Sequence, residues 1–156
     1  MKQQRGVTLL ELMVAVAILG ILATMAIPSF QQAYQRNREN ELRQALREIR
    51  TAIDAYKKAS DEGRITHATE SGYPPSLGEL VRGVEDQSSA DHRKLYFLRR
   101  VPPDPFNPQA KTDPEAAWGK RAYSSPPDAP QEGADVFDVY SNTDGTGLNG
   151  VPYRKW

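Results

Sequence analysis

The 156-residue chain predicts an α+β fold: one long N-terminal α-helix, half suited to a membrane and half amphipathic, packed on a small C-terminal domain of short helices and a small antiparallel sheet. Three observations carry this. The apolar run from Val7 to Ile27 holds a single charge, Glu11. A helical period then continues past Pro28 to about Ser60. From Asp61 to Trp156 the composition turns to proline and loop-formers, over a length that allows one small domain.

The apolar run comes first. At a rise of about 1.5 Å per residue, Val7 to Ile27 makes roughly 32 Å of helix, close to the ~30 Å hydrocarbon thickness of a bilayer. Lys2 and Arg5 precede it with no acid beside them, so the positive-inside rule keeps the N-terminus cytoplasmic and sends the remainder outward. An ionised side chain at the bilayer centre costs roughly 2.5–3.5 kcal/mol on insertion scales, so Glu11 needs a partner. An ordinary secretory signal is the competing reading, with Thr24-Met25-Ala26 as a small-x-small cut site, but Glu11 inside the run and the full spanning length argue against it. An uncleaved signal anchor leaves the acid without a reason.

Met1-Lys2-Gln3-Gln4-Arg5-Gly6-Val7-Thr8-Leu9-Leu10-Glu11-Leu12 closely resembles the prepilin signal of type IV pilins and type II secretion pseudopilins. The resemblance implies that a membrane peptidase cuts between Gly6 and Val7 and methylates the new N-terminus at Val7, where the family most often has Phe. Residues 1–6 are then a cleaved leader. The freed amine lies four residues from Glu11, and an i,i+4 pair within one helix is a simple outcome. The other is that Glu11 meets the amine of a neighbouring subunit and sets the axial register of a filament, which the resemblance favours. Gly20 and Pro28 punctuate the same helix: glycine lowers helix propensity by about 1 kcal/mol relative to alanine, and proline removes a backbone donor. The resemblance implies that this stretch melts during assembly, and a mild kink at the membrane surface is the plainer alternative.

Residues 28–60 read as an amphipathic continuation. Phe30, Tyr34, Leu42, Leu46, Ile49, Ile53 and Tyr56 fall on one stripe with Ala45 and Ala52 beside it, among Arg, Glu, Gln and Asn. The stripe is too short for a coiled coil and wants a globular domain to cover it. A helix from Val7 to Ala59 would measure about 80 Å, far beyond the usual globular length of about 11–12 residues, and it matches the layout of pilin-like subunits.

In the head, residues 61–156, Ser76 is placed to cap a short helix with Glu79 closing a capping box. A second short helix is expected from Asp91 to Arg100, with Leu95, Tyr96 and Leu98 partly buried. Val101-Pro102-Pro103-Asp104-Pro105-Phe106-Asn107-Pro108 cannot be a central strand. It resembles a proline-rich passage of major pseudopilins, and Phe137-Asp138-Val139-Tyr140-Ser141 followed by Asp144-Gly145 matches their next strand and loop in the same order. Strands are expected near Arg121 to Ser124, Val136 to Ser141 and Val151 to Arg154, with the Phe137/Val139 alternation laying one face on the helix. Matches at both ends of the chain favour a major-type pseudopilin over a type IV pilin.

The chain has no cysteine, so an exported domain needs another staple or packing alone. The resemblance implies a calcium ion in the loop after the Tyr140-Ser141 strand, for which Ser141, Asp144 and Asn149 are the candidate ligands. That loop holds one acid, Asp144, with Asn149 where a second is expected, and an ordinary hairpin with Asp-Gly and Asn-Gly turns is the alternative. His67 and His92 sit in polar surroundings with no triad or metal-ligand spacing, and no phosphate loop is present. Twenty basic residues balance 20 acidic ones, and loss of Lys2 and Arg5 leaves 18 against 20. Arg36, Arg38, Arg43, Arg47 and Arg50 are interleaved with Glu39, Glu41 and Glu48, which reads as a solvated or subunit-packing face, so no nucleic acid is expected as a partner.

These observations lead to a structural, non-enzymatic subunit. The resemblance implies that it is anchored in the bacterial inner membrane with its head in the periplasm, and that it polymerises through its N-terminal helix with other pseudopilins after processing by prepilin peptidase and delivery by an inner-membrane assembly platform. A type IV pilin of an extracellular fibre and a membrane-tethered periplasmic binding module or enzyme are the alternatives.

Overall fold

The computed structural model describes residues 6–91 and 93–156, with the backbone alone over residues 24–29. Lys2, Arg5 and His92 therefore lie outside the described residues. Two compact units are resolved, Met1–Asn37 and Arg38–Trp156.

Helix α1 runs from Leu9 to Asp61, 53 residues. Thr8 starts it: its Oγ1 accepts from Glu11 N at 3.3 Å and its carbonyl accepts from Leu12 N at 3.2 Å. A hydroxyl there satisfies one of the helix's orphan donors, and an acid in the first turn suits the positive end of its dipole. At the other end Gly63 turns left-handed at φ 69°, with its N–H on Ser60 O and Arg64 N on Ala59 O. Only glycine enters that region without strain.

In the second unit, Leu42, Leu46, Ile49, Ile53 and Tyr56 are buried on α1 together with Ala45, Ala52 and Ala59. They form one core with Leu77, Leu80, Trp118, Val139 and Tyr153. Each large aliphatic side chain so buried contributes about 1.5–3 kcal/mol of apolar transfer. The buried stripe starts later than the periodicity suggests: Phe30 is 75 % exposed and Tyr34 64 % exposed, both within the first unit. Period alone cannot mark where the covering domain stops.

Helix α2, Leu77–Arg82, forms where Ser76 predicts it, and Ser76 Oγ accepts from Glu79 N at 3.3 Å. Glu79 is engaged by Arg82 at 2.9 Å, an i,i+3 ion pair. Gly83 ends the helix at φ 75° with the Tyr96 ring against it, in space that a β-carbon would occupy.

The helix expected from Asp91 to Arg100 does not form. Val84–Glu85 (β1) and Lys94–Leu95 (β2) pair antiparallel, Val84 opposite Leu95. Two features override helix formation. Asp86 accepts from both N–H and Oγ of Ser88, at 3.0 and 2.5 Å, while donating its own N–H to Arg93 O, which bends the chain into a hairpin. Leu80 O then accepts from both Phe97 N and Leu98 N, and Leu95, Phe97 and exposed Tyr96 follow a period of two.

The second sheet pairs β3, Trp118–Arg121, with β4, Asp138–Ser141, in a register of Trp118 opposite Ser141 and Arg121 opposite Asp138. The first of these strands lies three residues earlier than expected, because Ala122 N turns to Gln131 O and Tyr123 N to the carboxylate of Asp135. Val139 and Ser141 are buried, but Phe137 turns to an aromatic cluster with Tyr73 and Tyr123, at centroid distances of 5.0 and 5.6 Å. The strand expected over Val151 to Arg154 is replaced by a single bridge between Thr146 and Pro152 and a 3-10 turn at Tyr153–Lys155. Proline cannot donate to a ladder, which limits pairing there.

Candidate functional site

The N-terminal segment presents an apolar surface all the way around. Val7, Leu9, Leu10, Leu12, Met13, Val14, Val16, Ile18, Leu19, Ile21 and Leu22 are each more than half exposed. A helix apolar on every face is built to be surrounded by lipid or by other helices, not by water. Among the described residues no helix is long and apolar enough to cross a membrane. The described side chains of the apolar run stop at Ala23, and the span expected over residues 7–27 reaches into residues 24–29, whose side chains are not described.

Glu11 stands in the first turn of α1, fully in the open and the only acid among those exposed apolar groups. Its backbone N–H is held by Thr8, a residue that the sequence reading passed over. The signal was available: Thr8-x-x-Glu11 is the spacing of a capping box. Gly6 and Val7 precede the helix and are exposed. At Gly20 a β-carbon would meet nothing within 4 Å, so no contact inside this subunit requires glycine there. Pro28 lies within α1 by its backbone, and its side chain is outside the description.

Two of the three candidate calcium ligands are engaged within the protein, and the third is exposed. Ser141 Oγ, fully buried, donates to Asp104 Oδ2 at 2.6 Å. Asn149 Oδ1 accepts from Val151 N at 3.1 Å, and Asp144 is exposed. Among the described residues no group of three or more acids, histidines or cysteines is placed to hold a metal ion. The donor set present does not fit calcium.

Four members of the charged run on α1, Arg38, Glu39, Arg43 and Arg50, face the head, while Arg36, Glu41, Arg47 and Glu48 are exposed. Arg50 donates from Nε to Asp138 Oδ1 at 2.8 Å, and from Nη2 to Val139 O and Trp156 O at 3.0 and 2.8 Å. Arg38 reaches Pro105 O and lies over the Phe106 ring, and Arg43 lies over Trp156. Glu39, 3 % exposed, accepts from Leu148 N at 2.8 Å and from the Tyr153 hydroxyl at 3.2 Å. The expectation of a solvated or subunit-packing face is thus corrected for Arg38, Glu39, Arg43 and Arg50. Glu39 had a signal of its own, since it falls on the helical stripe one turn before Leu42, and an acid on an apolar stripe demands a partner. His67 is exposed, with Nε2 3.1 Å from Ser60 O.

Residues 1–27 match the family described as a prokaryotic N-terminal methylation motif. The chain is 32 % identical over 110 residues to the type II secretion system core protein G of Klebsiella pneumoniae, covering 68 % of this chain and 71 % of that one. It is 27 % identical over 151 residues to the core protein G of Dickeya chrysanthemi, covering 96 % and 94 %. A type IV major fimbrial protein of Dichelobacter nodosus is 45 % identical over 87 residues, 56 % of each chain. No solved structure matches significantly. The fimbrial likeness stops at about half of either chain while the core protein G likeness runs nearly end to end, so the chain belongs to the type II secretion system core protein G family, the major pseudopilins.

Proposed function

We propose that this chain is the structural subunit of a type II secretion pseudopilus and that its assembly runs through Glu11. Prepilin peptidase removes residues 1–6 and Val7 becomes the methylated N-terminus. Residues 7–27 hold the subunit in the inner membrane, N-terminus cytoplasmic, until the assembly platform adds it to the filament. Residues 28–60 carry the periplasmic head, residues 61–156. The role is mechanical, without catalysis, and other pseudopilins are its neighbours in the fibre.

The supporting observation is a helix start whose exposed surface is apolar except for one exposed carboxylate. Apolar helices surrounded by one another supply adhesion without direction, and lipid competes equally well for it. A charge that must find a cation in that environment supplies the direction. A neighbour's freed amine at Val7 meets that need, while Gly20 and Pro28 let the stretch between them yield as the helices pack.

The test replaces the native copy with Glu11→Gln and reads three things: membrane content, cross-linked ladders of the subunit, and release of a secreted reporter enzyme. Loss of a charge-assisted hydrogen bond is worth about 1.5–3 kcal/mol at each interface, a factor on the order of ten or more in association. Normal membrane content with ladders and secretion both lost is the expected result. Normal secretion with loss of a surface fibre instead identifies a type IV pilin. Unchanged ladders overturn the role of Glu11, and a subunit that never forms ladders is a tethered periplasmic module.

A further inference from the structure

The loop between Ser141 and Tyr153 is where the resemblance implies calcium, yet several of its oxygens are already engaged within the protein. Calcium wants about 6–8 oxygens converging at about 2.3–2.6 Å. The carbonyls of Gly145, Gly147 and Val151 accept from the N–H groups of Tyr153, Gly150 and Gly147, each at 2.9 Å, which fixes them in the turn rather than around a common point. What the loop points inward is a donor: Leu148 N–H meets a carboxylate oxygen of Glu39, and the Tyr153 hydroxyl reaches the same oxygen. A cation beside those donors would face the positive ends of their dipoles. The loop's one buried side-chain oxygen without a partner among the described residues is Thr143 Oγ1, and a lone neutral hydroxyl suits a water better than an ion that needs six ligands.

We infer that Glu39 is the staple of the C-terminal loop in this chain, and that the head closes and stays closed without a divalent cation. Glu39 is well placed for this, since it sits on α1 beside the core and reaches across 109 residues of sequence to Leu148. Trp156 completes the closure. It stands edge-on to Tyr153 at 5.0 Å, lies under the Arg43 guanidinium at 4.2 Å, and occupies the space where a β-carbon on Gly147 would go. Its carbonyl is held by Arg50. The helix, the loop and Trp156 are thereby tied by groups that the protein itself supplies.

The experiment uses the full chain in detergent micelles and follows thermal unfolding by near-ultraviolet circular dichroism in excess calcium, excess magnesium and a calcium chelator. The expected result is one melting temperature in all three. Glu39→Ala is expected to lower it and to speed hydrogen exchange at the Leu148 amide by about tenfold or more, and Asp144→Asn to leave both unchanged. A midpoint that falls in chelator, or that calcium raises where magnesium does not, overturns the inference. So does an Asp144→Asn variant as unstable as Glu39→Ala. The chelator comparison is read on the unmutated protein and stands even where Glu39→Ala fails to fold.

Discussion

Ser141 Oγ donates to Asp104 Oδ2 at 2.6 Å, with both residues shielded from solvent. The bond joins the proline-rich passage to the strand that follows it some forty residues later, the two stretches whose order resembles the pseudopilins. Asp104 Oδ1 also accepts from Phe106 N at 2.8 Å, so the carboxylate is satisfied at each oxygen. Ser141→Ala removes one donor and leaves a buried acid oxygen bare, at a cost of about 1–3 kcal/mol. Urea unfolding should show the midpoint fall with an unchanged slope.

Tyr56 offers the opposite case. Its ring is buried in the core, packed at 5.3 Å from Phe97, and its hydroxyl has no partner among the described residues. Tyr56→Phe keeps the ring and removes the orphan, so stability should hold or rise by up to about 1 kcal/mol. Burial also pushes the Tyr56 hydroxyl above its ordinary pKa of 10.0, with Glu79 adding to the effect. The folded state therefore keeps a proton that the unfolded state gives up, and stability is lost as pH rises past 10.0. Tyr56→Phe should remove that part of the alkaline decline, measured by unfolding between pH 9 and pH 11.

Asp86 governs the acid side of the hairpin. The Ser88 hydroxyl, then Arg64 at 2.9 Å, hold its carboxyl below the ordinary 3.8. A depressed acid stabilises the fold above its unfolded pKa, and that contribution disappears as pH falls through the folded one. Unfolding of wild type and Asp86→Asn followed from pH 7 downward should show wild type the more stable at neutral pH. The gap should close below about pH 4.

Phe30 separates folding from assembly. It lies at 75 % exposure, whereas Leu46 is at 2 % in the core. Phe30→Ser should change the head's unfolding free energy by no more than about 0.5 kcal/mol, and Leu46→Ala should lower it by about 2–5 kcal/mol. Cross-linked ladders in the same strains give the second readout, with Phe30→Ser weakening them although its head is intact.

Much of this was legible from residue order. The 3.6-residue period announced α1 and its core stripe from Leu42 to Tyr56, and Ser76 announced α2. The hairpin at Val84–Leu95 was hidden because its strands are two residues each, too short for alternation to register. Asp86 makes it by a side-chain turn that a window of averaged polarity cannot see. At the N-terminus, the resemblance picked out Gly6, Val7 and Glu11 as a set but passed over Thr8, whose role is a hydrogen bond to the backbone. The calcium expectation for Ser141, Asp144 and Asn149 rested on the resemblance and on residue type. Type says nothing of direction, and Ser141 points at Asp104. Glu39 was legible in principle as an acid on the stripe, but its partners lie more than a hundred residues away and only the fold brings them to it.

The central claim is that the chain is processed at Gly6 for assembly through its new terminus. Intact-mass analysis of the protein taken from its own membranes tests this most directly. The account predicts a single species that lacks residues 1–6, begins at Val7 and carries one added methyl group. A species that keeps the leader, or one cut after Ala26 in the manner of an ordinary secretory signal, contradicts it.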